Sequence, residues 1–235
     1  MRKSVSVAMA VYNGEKYLKQ QLDSILPQLT DYDEVIISLD PSIDNSKCIL
    51  DSYHDKRIKI FDGPGKGVIS NFENAIQHTQ NDIIFLCDQD DVWSSEKVEK
   101  VLSAFGHNVN VVMHDAKIVD ENLEVIEDSY FSFRKSKLGI LHNVLKNSYI
   151  GCCMAFSKES KEYILPFPNN LPMHDQWIGL VGEIKGKNIL LEDKLMLYRR
   201  HKDNVSNIQH SNLSQMIKWR ISIIKALLSM SKLGN

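Results

Sequence analysis

The chain has 235 residues, 43% of them hydrophobic and 25% charged, with a formal net charge of −2 at pH 7. That composition suits one substantial globular domain and excludes a generic nucleic-acid binder, which needs a basic excess. No segment approaches the roughly 18 uninterrupted apolar residues of a membrane span, and four cysteines without C-x-x-C spacing suggest reduced thiols, not a zinc site or disulfide framework.

In chain order, Met1 to Val11 begins like a short signal peptide, but its apolar run stops at Tyr12-Asn13-Gly14, so Ser4 to Val11 reads as a buried strand. Glu15 to Leu29 places Tyr17, Leu18, Leu22, Ile25, Leu26 and Leu29 at helical spacing. The unit then repeats: Glu34 to Leu39 a strand, Asn45 to Tyr53 a helix, Ile58 to Phe61 a strand, Val68 to Gln77 a helix, Asp82 to Cys87 a strand. Ser94 or Ser95 offers a cap for a helix running to Phe105, and Val109 to Met113 makes another strand. Alternation of this kind predicts an α/β domain with a Rossmann-like, mostly parallel central sheet flanked by helices. Beyond residue 115 the pieces shorten: a small-residue strand Gly151 to Phe156, a loop Pro166 to Pro172, a helix His174 to Ile184, and short strands Ile189 to Leu191 and Leu195 to Arg199. This half reads as an acceptor-side lobe continuous with the first.

The stretch Asp82-Ile-Ile-Phe-Leu-Cys-Asp-Gln-Asp-Asp-Val-Trp93 runs an apolar strand straight into Asp88, Asp90 and Asp91. Three carboxylates at a strand end repel one another unless a cation offsets them. A hard divalent ion, Mn²⁺ or Mg²⁺, takes oxygen ligands and commonly bridges a diphosphate, so the cluster points to a nucleoside-diphosphate substrate. Ligands of open α/β sheets bind beyond the carboxyl ends of the strands. Three such ends here carry polar loops, Tyr12-Asn13-Gly14-Glu15, Asp40-Pro41-Ser42-Ile43-Asp44 and Asp88-Gln89-Asp90-Asp91. The first two are also ordinary turn chemistry, but their recurrence on one sheet edge favours a shared crevice.

Six ordered stretches carry a family resemblance: Ser6-Val-Ala-Met-Ala-Val-Tyr-Asn-Gly-Glu-Lys-Tyr-Leu18, Asp40-Pro-Ser-Ile-Asp-Asn-Ser46, Gly65-Lys-Gly-Val-Ile-Ser-Asn-Phe72, Phe85-Leu-Cys-Asp-Gln-Asp-Asp-Val-Trp93, Met173-His-Asp-Gln-Trp177 and Tyr198-Arg-Arg-His-Lys-Asp-Asn-Val-Ser206. Over roughly residues 4 to 207 the chain resembles the family 2 glycosyltransferases, nucleotide-sugar enzymes of the GT-A fold, and in particular their rhamnosyltransferase-like subgroup. The resemblance implies a catalytic domain over 1–207, with 1–114 binding the nucleotide sugar and 115–207 on the acceptor side, followed by an amphipathic helix within 208–235.

It also implies roles for single residues. Val11, Tyr12, Asn13 and Asp40 match the positions that hold the base and ribose, where a ring can stack and a carboxylate accept an imide proton. Lys66 and Asn71 match the loop and helix start facing the nucleotide. Asp90 matches the metal-bridging member of the D-x-D motif, and Asp88 the member that contacts ribose or a metal-bound water. His201 matches a late histidine that joins the metal or the diphosphate, with Arg199, Arg200, Asn204 and Ser206 as neighbouring anion donors. Asp175 matches the catalytic base of inverting members, at a helix start whose N–H groups and dipole favour its ionised form. Trp177 beside it is either a sugar platform or core. One departure stands out: the family's usual Asp-Asp-Gly-Ser is Leu39-Asp40-Pro41-Ser42 here, which leaves the base of the donor open.

The expected activity is metal-dependent, inverting transfer from a UDP- or dTDP-linked sugar to a saccharide or lipid-linked saccharide in bacterial surface-polysaccharide synthesis. Such an enzyme is cytoplasmic or peripheral on the inner face of the plasma membrane. The stretch Leu213 to Leu233 mixes apolar residues with Lys218, Arg220, Lys225 and Lys232 and has no acid, so a membrane surface, its own domain or a partner subunit, including a second copy, all suit it. Two other classes stay open. A nucleotidyltransferase also uses paired metal-binding carboxylates, but no glycine-rich phosphate loop follows the first strand. A non-catalytic sugar-nucleotide or glycan-binding subunit fits the Leu39 departure.

Overall fold

The computed structural model describes residues 2–202, 204 and 213–233. The first strand, β1 (Val5–Val11), is buried along its whole length, as a strand covered on both faces must be. Helix α1 (Leu18–Ile25) follows, shorter than the expected Glu15 to Leu29, because Pro27 lacks a backbone N–H and the last turn tightens into a 3₁₀ segment, Leu26–Gln28. Then come β2 (Glu34–Leu39), α2 (Ser46–Asp51), β3 (Ile58–Asp62), α3 (Val68–His78) and β4 (Ile83–Cys87). These agree with the sequence pattern to within about two residues at each end.

The short β5 (Val92–Trp93) was not expected; it lies immediately past the acidic tip. Helix α4 (Lys97–Ala104) starts later than a serine cap would set it: Glu96 occupies the cap position, no side chain caps the helix, and Lys97 N–H donates to the Ser94 carbonyl. The strand β6 (Val109–Val119) runs six residues beyond the expected end at Met113 and is followed by β7 (Val125–Glu127), α5 (Tyr130–Arg134) and α6 (Ile140–Leu145). Of the expected strand Gly151 to Phe156, the first three residues form a 3₁₀ turn and only β8 (Met154–Ser157) pairs. The remaining elements are α7 (Lys158–Ile164), α8 (His174–Lys185), β9 (Lys187–Arg199) and α9 (Leu213–Leu233). Strand β9 replaces two expected short strands. His114 of β6 pairs with Leu191 and Asp115 with Lys194, so Glu192 and Asp193 bulge from one continuous strand.

The sheet order is β3-β2-β1-β4-β8-β6-β9-β5, with β7 on β6. It is parallel from β3 to β4, as the alternating pattern requires, and mixed beyond: β8 is antiparallel to both β4 and β6, β9 is parallel to β6, and β5 is antiparallel to β9. Phe72 of α3, Phe85 of β4 and Phe156 of β8 are fully buried in one continuous core. Truncating any of them costs about 3–5 kcal/mol. The pairing of β5 with the end of β9 has the main functional consequence. It folds the chain after Asp91 back against Leu197, bringing Arg199, His201 and Asn204 against the acidic tip.

Candidate active site

The carboxyl ends of β1, β2 and β4 meet, and hydrogen bonds tie their loops into one floor. Tyr12 N–H donates to Gln89 Oε1 and Gln89 Nε2 to the Tyr12 carbonyl, both at 2.9 Å. This pair locks the first loop to the acidic tip. Gly14 is needed there, since a Cβ would lie 2.5 Å from Gln89 Oε1. Asn13 adopts φ 47, in the left-handed region that Asn tolerates, and its Oδ1 accepts from Ile43 N–H at 2.9 Å. Tyr12 remains 57% exposed, with its ring available for stacking.

Val11 is fully buried, and its carbonyl accepts from Asp40 N–H at 2.9 Å and from Asn71 Nδ2 at 3.2 Å. The Asp40 carboxylate accepts from Gly65 N–H at 2.8 Å, which draws the glycine-flanked Lys66 loop across the end of β2. Gly63 passes so close that a Cβ would meet Asp40 Oδ1 at 2.4 Å and Asn71 Oδ1 at 2.8 Å. Asn71 is 2% exposed and its Oδ1 has no partner, a buried acceptor of the kind that usually awaits a donor. Lys66 itself is exposed.

At the acidic tip, burial first, then the charges of Asp90 and Asp175, lift the Asp88 carboxyl to about 7. Asp91 is 1% exposed and is pushed well above the ordinary carboxylate range by burial, then by Asp90 and Asp88. Its Oδ1 accepts Arg199 N–H at 2.9 Å, while Oδ2 is buried without a partner. His201 Nε2 lies 2.8 Å from Asp90 Oδ2, and Asn204 Nδ2 donates to the same oxygen at 3.2 Å. The imidazole packs on the Tyr17 ring, 4.8 Å between centroids. Among the described residues the oxygens of Asp88 and Asp91 gather within 4.8 Å of one another, while Asp90 and His201 form a separate pair; carboxylate oxygens suit a hard divalent cation, and Asp91 Oδ2 is left without a partner. Cys152 places its thiol within 4.8 Å of the Asp88 and Asp91 oxygens. It is the wrong donor for such an ion, and burial, then Cys153, keeps it protonated.

Two buried cations answer these acids, one expected elsewhere and one not singled out in the sequence. Arg199, expected to face an anion, is 3% exposed. Its guanidinium donates to the carbonyls of Asp90 at 2.8 Å and Glu121 at 3.0 Å and to Gln20 Oε1, and lies 4.3 Å from the Tyr17 ring centroid. It is a strut. Lys97 is fully buried, donates to the Cys152 carbonyl at 2.8 Å and stands 4.0 Å over the Trp93 ring. Burial lowers its pKa, and its charge acts on Asp88 and Asp91. A lysine on the same helix face as Val101 was the available signal. Arg200 turns along β9 to donate to Tyr198 Oη at 2.9 Å. Ser206 lies outside the described residues.

Asp175 occupies the first turn of α8 and is 6% exposed. Its Oδ1 accepts from Gln176 N–H at 2.5 Å and Asn147 Nδ2 at 3.2 Å. Those bonds favour the carboxylate, as expected at a helix start, yet burial outweighs them and raises the group to about 6. It is close enough to Asp88 for their charges to couple. Its neighbour His174 stacks on Phe72 at 4.3 Å, has an unpartnered Nε2, and is lowered by burial to about 4, so it is neutral at pH 7. Trp177 is core: 2% exposed, with Nε1 donating to the Ile164 carbonyl at 2.9 Å.

The α/β sheet, parallel from β3 to β4, mixed beyond and flanked by helices, has the fold of the GT-A glycosyltransferases. The structure of Staphylococcus aureus TarS residues 1–349 with UDP-GlcNAc shares this fold at a TM-score of 0.68 and 19% identity, over 95% of this chain and 67% of that one. A mannosyltransferase from Pyrobaculum calidifontis, solved with GDP-Man and Mn²⁺, matches at 0.64 and 16% identity over 98% and 63%. Residues 6–164 match the family model described as Glycosyl transferase family 2, and the chain belongs to that family. Among curated relatives it is 26% identical over 218 residues to the dTDP-rhamnosyl transferase RfbG of Shigella flexneri, covering 83% of this chain and 72% of the relative. It is 28% identical over 151 residues to the UDP-Glc:alpha-D-GlcNAc-diphosphoundecaprenol beta-1,3-glucosyltransferase WfgD of Escherichia coli, covering 63% and 57%.

Proposed function

We propose that the protein transfers a sugar, with inversion, from a UDP- or dTDP-linked donor to a hydroxyl of a saccharide or lipid-linked saccharide in bacterial surface-polysaccharide synthesis. The observation that carries this reading is the convergence of Asp88, Asp90 and His201 with the buried base candidate Asp175 at one sheet edge. The relatives' donors and the diphosphoundecaprenol acceptor in one relative's name support the substrate class.

On this reading Tyr12 stacks on the base while Val11, Asn13 and Asp40 shape the ribose pocket, and the lone Asn71 Oδ1 accepts a donor from the nucleotide. Asp90 and His201, with Asp88 behind them, would hold Mn²⁺ or Mg²⁺, which when bound supplies positive charge to the diphosphate oxygens. Lys66 and Arg200 add cationic charge on the diphosphate side. Asp175 accepts the proton of the acceptor hydroxyl as that oxygen bonds the anomeric carbon and the carbon–oxygen bond to the diphosphate breaks. A carboxyl raised to about 6 is mostly ionised at pH 7 yet basic enough to take that proton.

A panel of nucleotide sugars, read by release of nucleoside diphosphate with Mn²⁺ and with chelator, tests the reading. Release with one donor class that needs both the metal and an acceptor supports it. Pyrophosphate release from a sugar phosphate and a nucleoside triphosphate, or donor binding without turnover, would replace it.

A further inference from the structure

Helix α9 is apolar on two sides, and the domain covers one of them. Ile223 and Ala226 are buried, and Ser222 Oγ donates to the Asn170 carbonyl at 2.6 Å. On the other side Ile217, Ile221, Ile224 and Leu228, at spacings i, i+4, i+7 and i+11, are 53%, 47%, 44% and 60% exposed. A helix that met only its own domain would carry polar residues there. Cations flank the stripe instead: Lys218 and Lys225 lie exposed along one border and Arg220 on the other, and the α9 sequence contains no acid.

Arg220 also donates to the Leu145 carbonyl at 2.8 Å, which fastens α9 to α6. Leu141 and Leu145 of α6 are 74% and 51% exposed, between the exposed Lys137 and Lys146. Helix α6 stands directly beside the base. Its Asn143 carbonyl accepts from Gln176 Nε2 at 2.7 Å, and Asn147, just past it, donates to Asp175 Oδ1.

We infer that the outer faces of α9 and α6 form one docking surface for an anionic lipid bilayer, with both helices lying in the interface plane. No helix among the described residues is long and apolar enough to cross a membrane. Charge complementarity selects the occupant. A second copy docking through the same patch would bring lysines against lysines across the two-fold axis, whereas anionic headgroups pair with the cations while the acyl boundary takes the isoleucines and leucines. Resting on the transferase reading, the same surface presents a lipid-linked acceptor to Asp175 from the α6 side.

The test is co-sedimentation of the whole chain with phosphatidylcholine vesicles with and without phosphatidylglycerol, beside its oligomeric state by light scattering. Capture by the anionic vesicles, lost at high salt, is expected. The pair Ile221→Asp and Leu228→Asp should weaken it at least about tenfold, and Lys218→Gln with Lys225→Gln roughly fivefold per charge, with melting temperature unchanged because all four side chains face outward. The inference is overturned if the intact chain ignores anionic vesicles, if the variants bind as tightly as the parent, or if the apolar pair instead turns a dimer into a monomer. Failure of sugar transfer with vesicle capture intact would remove only the transferase reading. Transfer to a soluble acceptor without vesicle capture would remove only the docking surface.

Discussion

Replacing Asp175 by Asn should cut sugar transfer steeply and at the same time stabilise the fold. The buried carboxyl is raised from 3.8 to about 6, and the side chain is only 6% exposed, so solvent screens little of the shift. A difference of about two units corresponds to roughly 2–3 kcal/mol. The sign follows from proton uptake. Folded Asp175 holds its proton more tightly than the unfolded chain does, so between about pH 4 and 6 folding takes up a proton. Stability conferred by the protonated form is lost as pH rises through that window, and the ionised group weighs against the fold above it.

Asn keeps an oxygen to accept from Gln176 and Asn147 but cannot ionise, so at pH 7 and without metal the variant should melt roughly 4–12 °C higher. Near pH 4 the two proteins should melt together. Scanning calorimetry at pH 4, 5, 6 and 7 measures this, and a variant less stable than the parent at pH 7, or a gap that does not close on acidification, refutes the burial argument. Transfer by the same variant should fall roughly 10²–10⁴-fold, the ordinary range for loss of a general base. The parent's kcat/KM should fall on the acid side with a midpoint no higher than about 6, since a nearby bound cation only lowers that midpoint.

Asp90→Ala should weaken binding of UDP in Mn²⁺ at least about tenfold by titration calorimetry, to the level the parent shows in chelator, because the substitution removes the carboxylate beside His201. If the parent binds UDP equally with metal and with chelator, the metal assignment fails. Arg199→Met removes a buried guanidinium with three hydrogen-bond acceptors and should cost roughly 3–5 kcal/mol in urea denaturation; a loss below about 1 kcal/mol would show that the strut is dispensable. Trp177→Phe loses the bond to the Ile164 carbonyl and some core volume, and should cost about 1–2 kcal/mol while leaving the acceptor KM within about twofold. A large rise in that KM would return Trp177 to the site.

Much of the N-terminal half was readable from the sequence because its signals are local. Val5 to Val11 and Ile83 to Cys87 are uninterrupted apolar runs, and a run of that kind followed by polar loop residues marks a strand end whatever lies elsewhere. The misreadings came from side chains whose role depends on distant partners. Arg199 and Arg200 are adjacent and chemically identical, yet one enters the protein to meet Asp90, Glu121 and Gln20 while the other follows β9 to Tyr198. Only the alternation of a strand separates them, and the charged bulge at Glu192 and Asp193 hid that strand's length and phase. Gln89 lay in plain view between two aspartates, but its bond to Tyr12 depends on the parallel pairing of β1 with β4. Trp177 could not be assigned until Ile164 was known to face it.

The electrostatics of the acidic tip explain why these buried cations sit where they do. Asp88, Asp90 and Asp91 fall within four consecutive positions, and a fold that buried them alone would cost several kcal/mol per ionised group. Lys97 answers from α4, on the far side of the tip in sequence, and the Arg199 guanidinium answers from the end of β9 by bonding the Asp90 and Glu121 carbonyls and Gln20 instead of a carboxylate. That choice leaves the carboxylates of Asp90 and Asp91 without the Arg199 guanidinium as a partner. A guanidinium paired face to face with Asp90 or Asp91 would neutralise it and compete with any metal; one that grips the Asp90 carbonyl fixes the loop while leaving Asp90 Oδ2 to His201 and Asp91 Oδ2 unpaired. Burial first, and then the repulsion among the three acids, raises the carboxyls of Asp88 and Asp91 despite the two cations. A purely structural cluster would pair its last charge. This one has its loop fixed through backbone bonds and leaves Asp91 Oδ2 unpaired, an arrangement that suits the cation role proposed above.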